Sequence, residues 1–168
     1  MELRPYQQEA REAVERDWAG EFPHTLLVLP TGCGKTIVFC KIIEDMARQG
    51  ARCLILAHRG ELLDQAADKL LKATGMGCAV EKAEETCLNS WYRVAVGSVQ
   101  SLMRESRLER FPEDYFDVIV VDEAHHVLYD GYQRVLAHFD GARVLGVTAT
   151  PDRGGHAQPG AVFSTLGL

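Results

Sequence analysis

Features that mark membrane and secreted proteins are missing from this sequence. No apolar run approaches the roughly 20 residues that a membrane-spanning helix needs, and residues 1–5 (MELRP) carry no signal-peptide pattern. The five cysteines are odd in number and form no C-x-x-C pair, so a disulfide framework is not indicated. We therefore expect a cytoplasmic protein with reduced thiols, among which Cys33 alone lies in a segment of chemical interest.

An excess of positive charge is also missing. The 168 residues include 18 Lys and Arg against 24 Asp and Glu, a formal net charge of −6. This balance argues against a nucleic-acid footprint over the whole surface, although a local one remains compatible with it. Apolar residues make up 46% and charged residues 25% of the chain. This composition and length are typical of a single domain whose core is large enough to be stable without disulfides or a structural metal.

Strand and helix patterns alternate along the chain. Short apolar runs predict strands at 26–29, 53–57, 93–96, 118–121 and 144–148, with a weaker one near 78–80. Amphipathic patterns predict helices at 5–18, 35–48, 61–73, 99–105 and 131–139. Apolar strands separated by helices predict an α/β fold, with a mostly parallel central sheet that helices cover on both faces. Ligands bind such sheets at the carboxyl ends of the strands.

The segment PTGCGKT, residues 30–36, follows the first predicted strand and opens a helix. A glycine-rich turn in this context directs backbone N–H groups at phosphate oxygens, and the helix N-terminus adds partial positive charge. Lys35 would contact the β- and γ-phosphates of a nucleotide, and the Thr36 hydroxyl would bind Mg²⁺. The other loop residues assigned to the nucleotide are Thr31, Gly32, Cys33 and Gly34. The strict motif requires glycine where Leu29 stands, so a turn that merely links strand and helix is the alternative.

The tetrad DEAH, residues 122–125, follows another apolar strand. Asp122 could hold Mg²⁺ through its water shell, and Glu123 could polarise an attacking water. Capping of the next helix is the alternative role, but two adjacent carboxylates at a buried rim are costly without a cation. No Cys or carboxylate spacing completes a zinc set with His125 and His126. The sequence therefore predicts a site for Mg²⁺ and ATP.

Six segments, in this order, resemble a known family. They are LRPYQ (3–7), PTGCGKT (30–36), AHRGEL (57–62), GSVQSL (97–102), DEAHH (122–126) and TATP (148–151). Together they are similar to the first, RecA-like motor lobe of a superfamily 2 helicase of the DEAD/DEAH type, over about residues 1–153. In style they most resemble bacterial repair helicases and the motor subunits of type I and type III restriction enzymes. Residues 154–168 would then be a tail or the start of a linker to a second lobe.

The resemblance implies roles for residues outside the two phosphate-handling motifs. Gln7 would recognise the adenine edge, because a carboxamide matches its donor and acceptor pair, and Arg4 would lie near the base. The alternative for this segment is a capped helix start with Pro5 in the first turn.

Two further groups of residues follow from the same resemblance. The first would contact the sugar–phosphate backbone of a nucleic-acid strand and consists of Arg59, Ser98 and Gln100. Pairing of Arg59 with a surface carboxylate is the alternative. The second would couple nucleotide state to lobe movement and consists of His125, Thr148 and Thr150. For the two threonines, a strand end followed by an ST-turn is the alternative. Residues 81–85 (EKAEE), in contrast, are typical of a solvated charge run.

Taken together, the residues predict the ATP-binding half of a nucleic-acid-dependent ATPase, with DNA favoured over RNA. We expect slow turnover without a second RecA-like lobe, in the same or a partner chain, because that lobe carries the arginines that complete the site. No membrane partner is expected. The alternative is a stand-alone nucleotide-binding module that docks on a partner without translocating. A small-molecule kinase would share the phosphate loop but would leave the DEAH, AHR and TATP segments unexplained.

Overall fold

The computed structural model of this chain describes residues 3–20, 23–30, 35–58, 60–124 and 130–150. The helices in these ranges are α1 (Pro5–Ala19), α2 (Lys35–Arg48), α3 (Gly60–Thr74), α4 (Val99–Leu102), α5 (Glu105–Leu108) and α6 (Asp130–His138). The strands are β1 (His24–Pro30), β2 (Cys53–Ala57), β3 (Ala79–Glu81), β4 (Val94–Ser98), β5 (Val118–Asp122) and β6 (Arg143–Thr150). Within the described ranges, none of the helices has the length and apolar composition needed to cross a membrane.

The strands form one parallel sheet in the order β1-β6-β5-β2-β4-β3. Its two faces are covered by different helices, because side chains alternate along each strand. In β2, Ile55 belongs to an apolar cluster with α1, α2 and α3, whereas its neighbours Leu54 and Leu56 belong to a second cluster with α4, α5 and α6. Burial on both faces explains why β2 is apolar at every position. The predicted α/β architecture is confirmed.

The predicted helix at 99–105 divides into α4 and α5. Arg104 has extended backbone angles (φ −70°, ψ 127°) and stands as the N-cap of α5, so the helix cannot continue through it. The amphipathic pattern spans this break because both short helices place apolar residues in the same cluster, Leu102 from α4 and Leu108 from α5. Periodicity thus detects the shared buried face but not the interruption between the two helices.

The prediction of a solvated charge run at residues 81–85 is wrong at its first residue. Glu81 ends β3 and is only 1% exposed. Its carboxylate accepts hydrogen bonds from the Thr86 hydroxyl at 2.7 Å and the Cys87 N–H at 2.8 Å, and it pairs with Arg107 at 2.6 Å. Local sequence gives no sign of this burial, because the compensating guanidinium lies in α5, distant along the chain.

Candidate nucleotide and nucleic-acid site

The carboxyl ends of the parallel strands lie along one edge of the sheet, and the predicted motifs follow these ends. The strand of the TATP segment, β6, lies between the strands that precede the other two nucleotide motifs, β1 and β5. In register, Thr148 of β6 pairs with Val28 of β1, and Val147 pairs with Asp122 of β5. Thr148 is half-buried, whereas the side chain of Thr150 lies outside the described residues. The predicted coupling strand therefore contacts both nucleotide motifs directly.

The phosphate-loop motif has the strand-to-helix context that it requires. Strand β1 ends at Pro30 and the 14-residue helix α2 begins at Lys35. The intervening residues Thr31, Gly32, Cys33 and Gly34, and the Lys35 side chain, lie outside the described residues. Thr36, in the first turn of α2, is half-buried. Because a helix N-terminus carries partial positive charge, the start of α2 provides a favourable environment for phosphate.

The two acidic residues at the end of β5 adopt an unusual local geometry. Glu123 has a φ of +54°, in the left-handed region that costs a residue with a side chain about 1–3 kcal/mol. Its backbone N–H donates to Oδ1 of Asp122 at 2.9 Å, and both side chains are half-buried. Strain of this kind is concentrated at functional sites. The positive φ of Glu123 ends β5 between Asp122, the predicted metal-holding carboxylate, and Glu123, the predicted water-activating one. His125 lies outside the described residues.

The pKa of the Cys40 thiol, in α2, is influenced by the charge of Asp122. Burial raises the pKa of its thiol to about 12; Lys69 opposes this increase, and Asp122 adds to it. The thiol therefore stays protonated at neutral pH and is inert as a nucleophile or metal ligand. The described cysteines are free thiols, as predicted: Cys40, Cys53, Cys78 and Cys87.

The start of α1 shows the capped geometry that the sequence left as an alternative for Gln7. The Arg4 N–H donates to Oε1 of Gln7 at 2.9 Å, and Pro5 opens the helix. Gln7 is 4% exposed, whereas the Arg4 side chain is exposed. This cap is compatible with adenine recognition, because the carboxamide oxygen has a second lone pair and the amide has donors. The adenine contact stays a prediction.

The predicted nucleic-acid segments follow two adjacent strands at the same edge. Ala57, which ends β2, pairs in register with Ser98, which ends β4. Ser98 is only 4% exposed, while Gln100 in α4 is exposed. Gln100 is therefore the more accessible of the two for a phosphate contact. Arg59 lies outside the described residues.

A family model described as "Type III restriction enzyme, res subunit" (ResIII) matches residues 1–153. The chain belongs to this family. Among relatives, IRC3 of Saccharomyces cerevisiae, named as a candidate ATP-dependent helicase, is 33% identical over 165 residues, covering 90% of this chain and 24% of IRC3. The DNA 3'-5' translocase XPB2 of Sulfurisphaera tokodaii is 30% identical over 153 residues, covering 91% of this chain and 32% of XPB2.

The fold of this ResIII lobe has a close counterpart among solved structures. The helicase domain of Hef from Pyrococcus furiosus superposes with a TM-score of 0.75 at 22% identity, covering 99% of this chain and 37% of that chain. This likeness confirms the RecA-like fold. The family match and these relatives confirm the resemblance to the N-terminal lobe of a superfamily 2 helicase. It spans about a quarter to a third of the length of the two relatives.

One contact at the edge of this ResIII lobe lies outside the predicted site. The ring of His58, within the AHR segment, stacks with that of Tyr132 in α6 at 6.5 Å between centroids and 13° between planes. Sequence reasoning missed Tyr132, because a tyrosine on the apolar face of a helix is typical of ordinary core packing. The only available signal was that α6 follows the DEAH segment closely along the chain.

Proposed function

We propose that this lobe binds Mg²⁺ and ATP and is half of a DNA-dependent translocase or helicase of the DEAH type. The observation that supports this most is the strand order. The three nucleotide segments follow β1, β6 and β5, and the two nucleic-acid segments follow the next two strands along the same edge, β2 and β4. One continuous edge therefore brings the elements for hydrolysis beside the elements for contact with a polynucleotide.

Each residue contributes a chemical group suited to its proposed task. Lys35 offers a positive charge to the terminal phosphates, while the Thr36 hydroxyl and Asp122 carboxylate are oxygen ligands of the type that Mg²⁺ prefers. When bound, Mg²⁺ offsets the negative charge of the phosphate oxygens. Glu123 accepts a proton from the attacking water. The hydrogen bond from the Glu123 N–H to Asp122 orients one carboxylate relative to the other.

The nucleic-acid partner is proposed to be DNA. XPB2, at 30% identity, is named as a DNA translocase. The contacts available to Arg59 and Gln100 are of the phosphate-binding kind, which supplies affinity without base specificity. A second RecA-like lobe, with its arginines, is the other proposed partner. A cytoplasmic location stays a prediction based on unpaired cysteines. Nothing in the described part of the chain favours the stand-alone docking module.

The test compares nucleotide binding and ATP hydrolysis, with and without DNA, in the parent and two variants. We expect Lys35→Ala to abolish detectable binding of ATP, because the loop loses its charge for the phosphates. We expect Glu123→Gln to bind ATP normally while turnover falls by about 100-fold or more, since the amide cannot accept the proton of water. EDTA should weaken ATP binding in the parent.

Glu113→Gln supplies the matched control, because Glu113 is an exposed carboxylate in the turn before β5 and distant from the carboxyl edge. It should behave as the parent does. Equal rates in the parent, Lys35→Ala and Glu123→Gln would refute the site. Stimulation by RNA but not by DNA would refute the choice of polynucleotide.

A further inference from the structure

Helix α6 occupies a position between the nucleotide and nucleic-acid segments. It begins at Asp130, soon after the DEAH tetrad, and packs in the same apolar cluster as α4, the helix that follows Ser98 and carries Gln100. Three sets of contacts connect α6 to its surroundings at this end of the molecule. The α6 residues concerned lie outside the six sequence segments that resemble the helicase family.

The first set joins α6 to α4 at very close range. A β-carbon added at Gly131 would lie 2.8 Å from Sδ of Met103 and 3.4 Å from Cγ2 of Val99, so a side chain at this position would displace the side chain of Met103. One turn further along α6, Arg134 Nη1 donates to the carbonyl oxygen of Met103 at 3.1 Å. Met103 is the C-cap of α4. The first two turns of α6 therefore hold the end of α4 through both packing and a hydrogen bond.

The second set joins α6 to the AHR segment. Tyr132 is fully buried, and its ring lies parallel to that of His58, which directly precedes Arg59. Ring pairs at this separation and angle attract each other, so the contact favours one relative position of α6 and the AHR segment. A displacement of α6 would therefore act on the backbone that carries Arg59.

The third set joins α6 to the end of the acidic strand. Ala124, the residue after Glu123, is buried in the same cluster as Tyr132 of α6 and Leu102 of α4. A packed cluster has few voids, so a movement of one member displaces the others as a unit. The segment that holds the acidic pair is thus buried in the same cluster as the helix that packs against both nucleic-acid segments.

We propose that Gly131, Tyr132 and Arg134 are positioning residues through which α6 couples nucleotide binding to DNA binding. This inference rests on the proposed function and adds a second connection to the one predicted through Thr148 and Thr150 on β6. Binding of nucleotide beside Glu123 shifts Ala124 and α6, and α6 then shifts His58 and α4. Coupling free energy is reciprocal, so DNA changes the affinity for nucleotide by the same factor.

The experiment measures this factor in the 168-residue chain, because every contact lies within the lobe. Binding of a partial-duplex DNA with a single-stranded tail is titrated with and without a saturating non-hydrolysable ATP analogue and Mg²⁺. The reverse titration checks reciprocity. In the parent we expect each ligand to change the affinity for the other by about fivefold or more.

The first variant is Gly131→Leu, which displaces the Met103 side chain and disturbs the packing of α6 against α4. We expect its coupling factor to fall below about twofold, while its affinity for each ligand alone stays within about twofold of the parent. Gly141→Leu is the matched control, because a β-carbon at Gly141 meets nothing within 4 Å. It should retain the coupling factor of the parent.

The second variant removes a single exposed hydrogen bond and therefore leaves the fold intact even where a leucine at position 131 does not. Arg134→Ala should lower the coupling factor, and Arg134→Lys, which keeps a donor, should restore part of it. A purely structural role would change thermal stability and leave the factor unaltered in all folded variants.

Three outcomes overturn the inference and separate it from the proposed function. If the parent protein binds nucleotide and DNA but its coupling factor is one, the coupling is rejected and the proposed function stands. The coupling is also rejected if Arg134→Ala, and Gly131→Leu where it folds, have the same coupling factor as the parent. A parent that fails to bind nucleotide or DNA rejects the proposed function itself, and the coupling with it.

Discussion

Glu81 shows how one buried carboxylate organises the edge of the sheet. Besides pairing with Glu81 at 2.6 Å, Arg107 donates to the backbone oxygens of Ala83 and Glu85. The same turn is held from the other side, because the Ala83 N–H donates to the Ser101 hydroxyl at 3.0 Å. A charge buried to this extent is tolerated only when it is paired and fully hydrogen-bonded.

Removal of one partner should therefore be costly. We expect Arg107→Met to lower the free energy of unfolding by about 3 kcal/mol or more, because Glu81 would remain buried without its counter-charge. Urea denaturation measures this. The control is Lys72→Met, which breaks the exposed pair of Lys72 with Asp68 at 2.9 Å and should cost less than about 0.5 kcal/mol. Similar losses in the two variants would contradict the prediction.

At the residue scale, sequence predicts groups whose chemistry is local. Adjacent carboxylates after an apolar run indicated Asp122 and Glu123, and the structure places them at the expected strand end. The left-handed conformation of Glu123 and the burial of Glu81 were not predictable. The burial of Glu81 depends on Arg107, which is distant along the chain, and the apolar run before Glu123 does not encode its backbone angle.

Among the elements, α1 illustrates how one residue can serve two purposes. Gln7 caps the helix by accepting the Arg4 N–H at 2.9 Å. Farther along, the Thr25 hydroxyl donates to Asp17 at 2.5 Å and ties the helix to β1. The C-terminal end of α1 is thus tied to β1, the strand that precedes the phosphate loop, while the cap orders the first turn, which carries the predicted adenine-binding residue.

Gln7→Glu separates the two roles of this residue. The carboxylate can still accept the Arg4 N–H and is favoured at a helix N-terminus, but position 7 is only 4% exposed, so we expect the free energy of unfolding to fall by about 1–3 kcal/mol. It lacks the NH₂ donor, so the preference for ATP over GTP should be lost. Competition binding and urea denaturation measure the two effects. Gln65→Glu, at an exposed position of α3, is the control; an unchanged ATP preference would limit Gln7 to capping.

Element types were predictable because the strands are buried on both faces and so form continuous apolar runs. Even the weak strand near 78–80 is present, as β3. Element ends were less predictable: β6 extends to Thr150, and the helix expected over 99–105 is interrupted at Arg104. Ends depend on capping and on tertiary contacts rather than on hydrophobic periodicity.

For the whole molecule, we propose that a second lobe completes the nucleotide site. The charge that develops on the transferred phosphoryl group requires arginines, which in such motors come from a second lobe and contribute about 10³ to 10⁵ in rate. The groups proposed to contact the phosphates, Mg²⁺ and the attacking water are Lys35, Thr36, Asp122 and Glu123. None of them is a guanidinium.

The 168-residue chain by itself is therefore expected to bind ATP but to hydrolyse it slowly. Steady-state phosphate release with partial-duplex DNA should remain low, and a strand-separation assay should show none. Supplying a second lobe that carries the arginines should raise turnover by a factor on the order of 10³. Robust unwinding by this chain alone would contradict the expectation.

The sequence by itself determined the fold class, the two phosphate-handling motifs and the family, because these depend on short segments and on their order along the chain. Only the tertiary structure decided which segments are neighbours. It placed β6 between β1 and β5, paired the ends of β2 and β4, and stacked Tyr132 on His58. Strand order and interhelical contacts arise from packing across the whole core, so no local pattern encodes them.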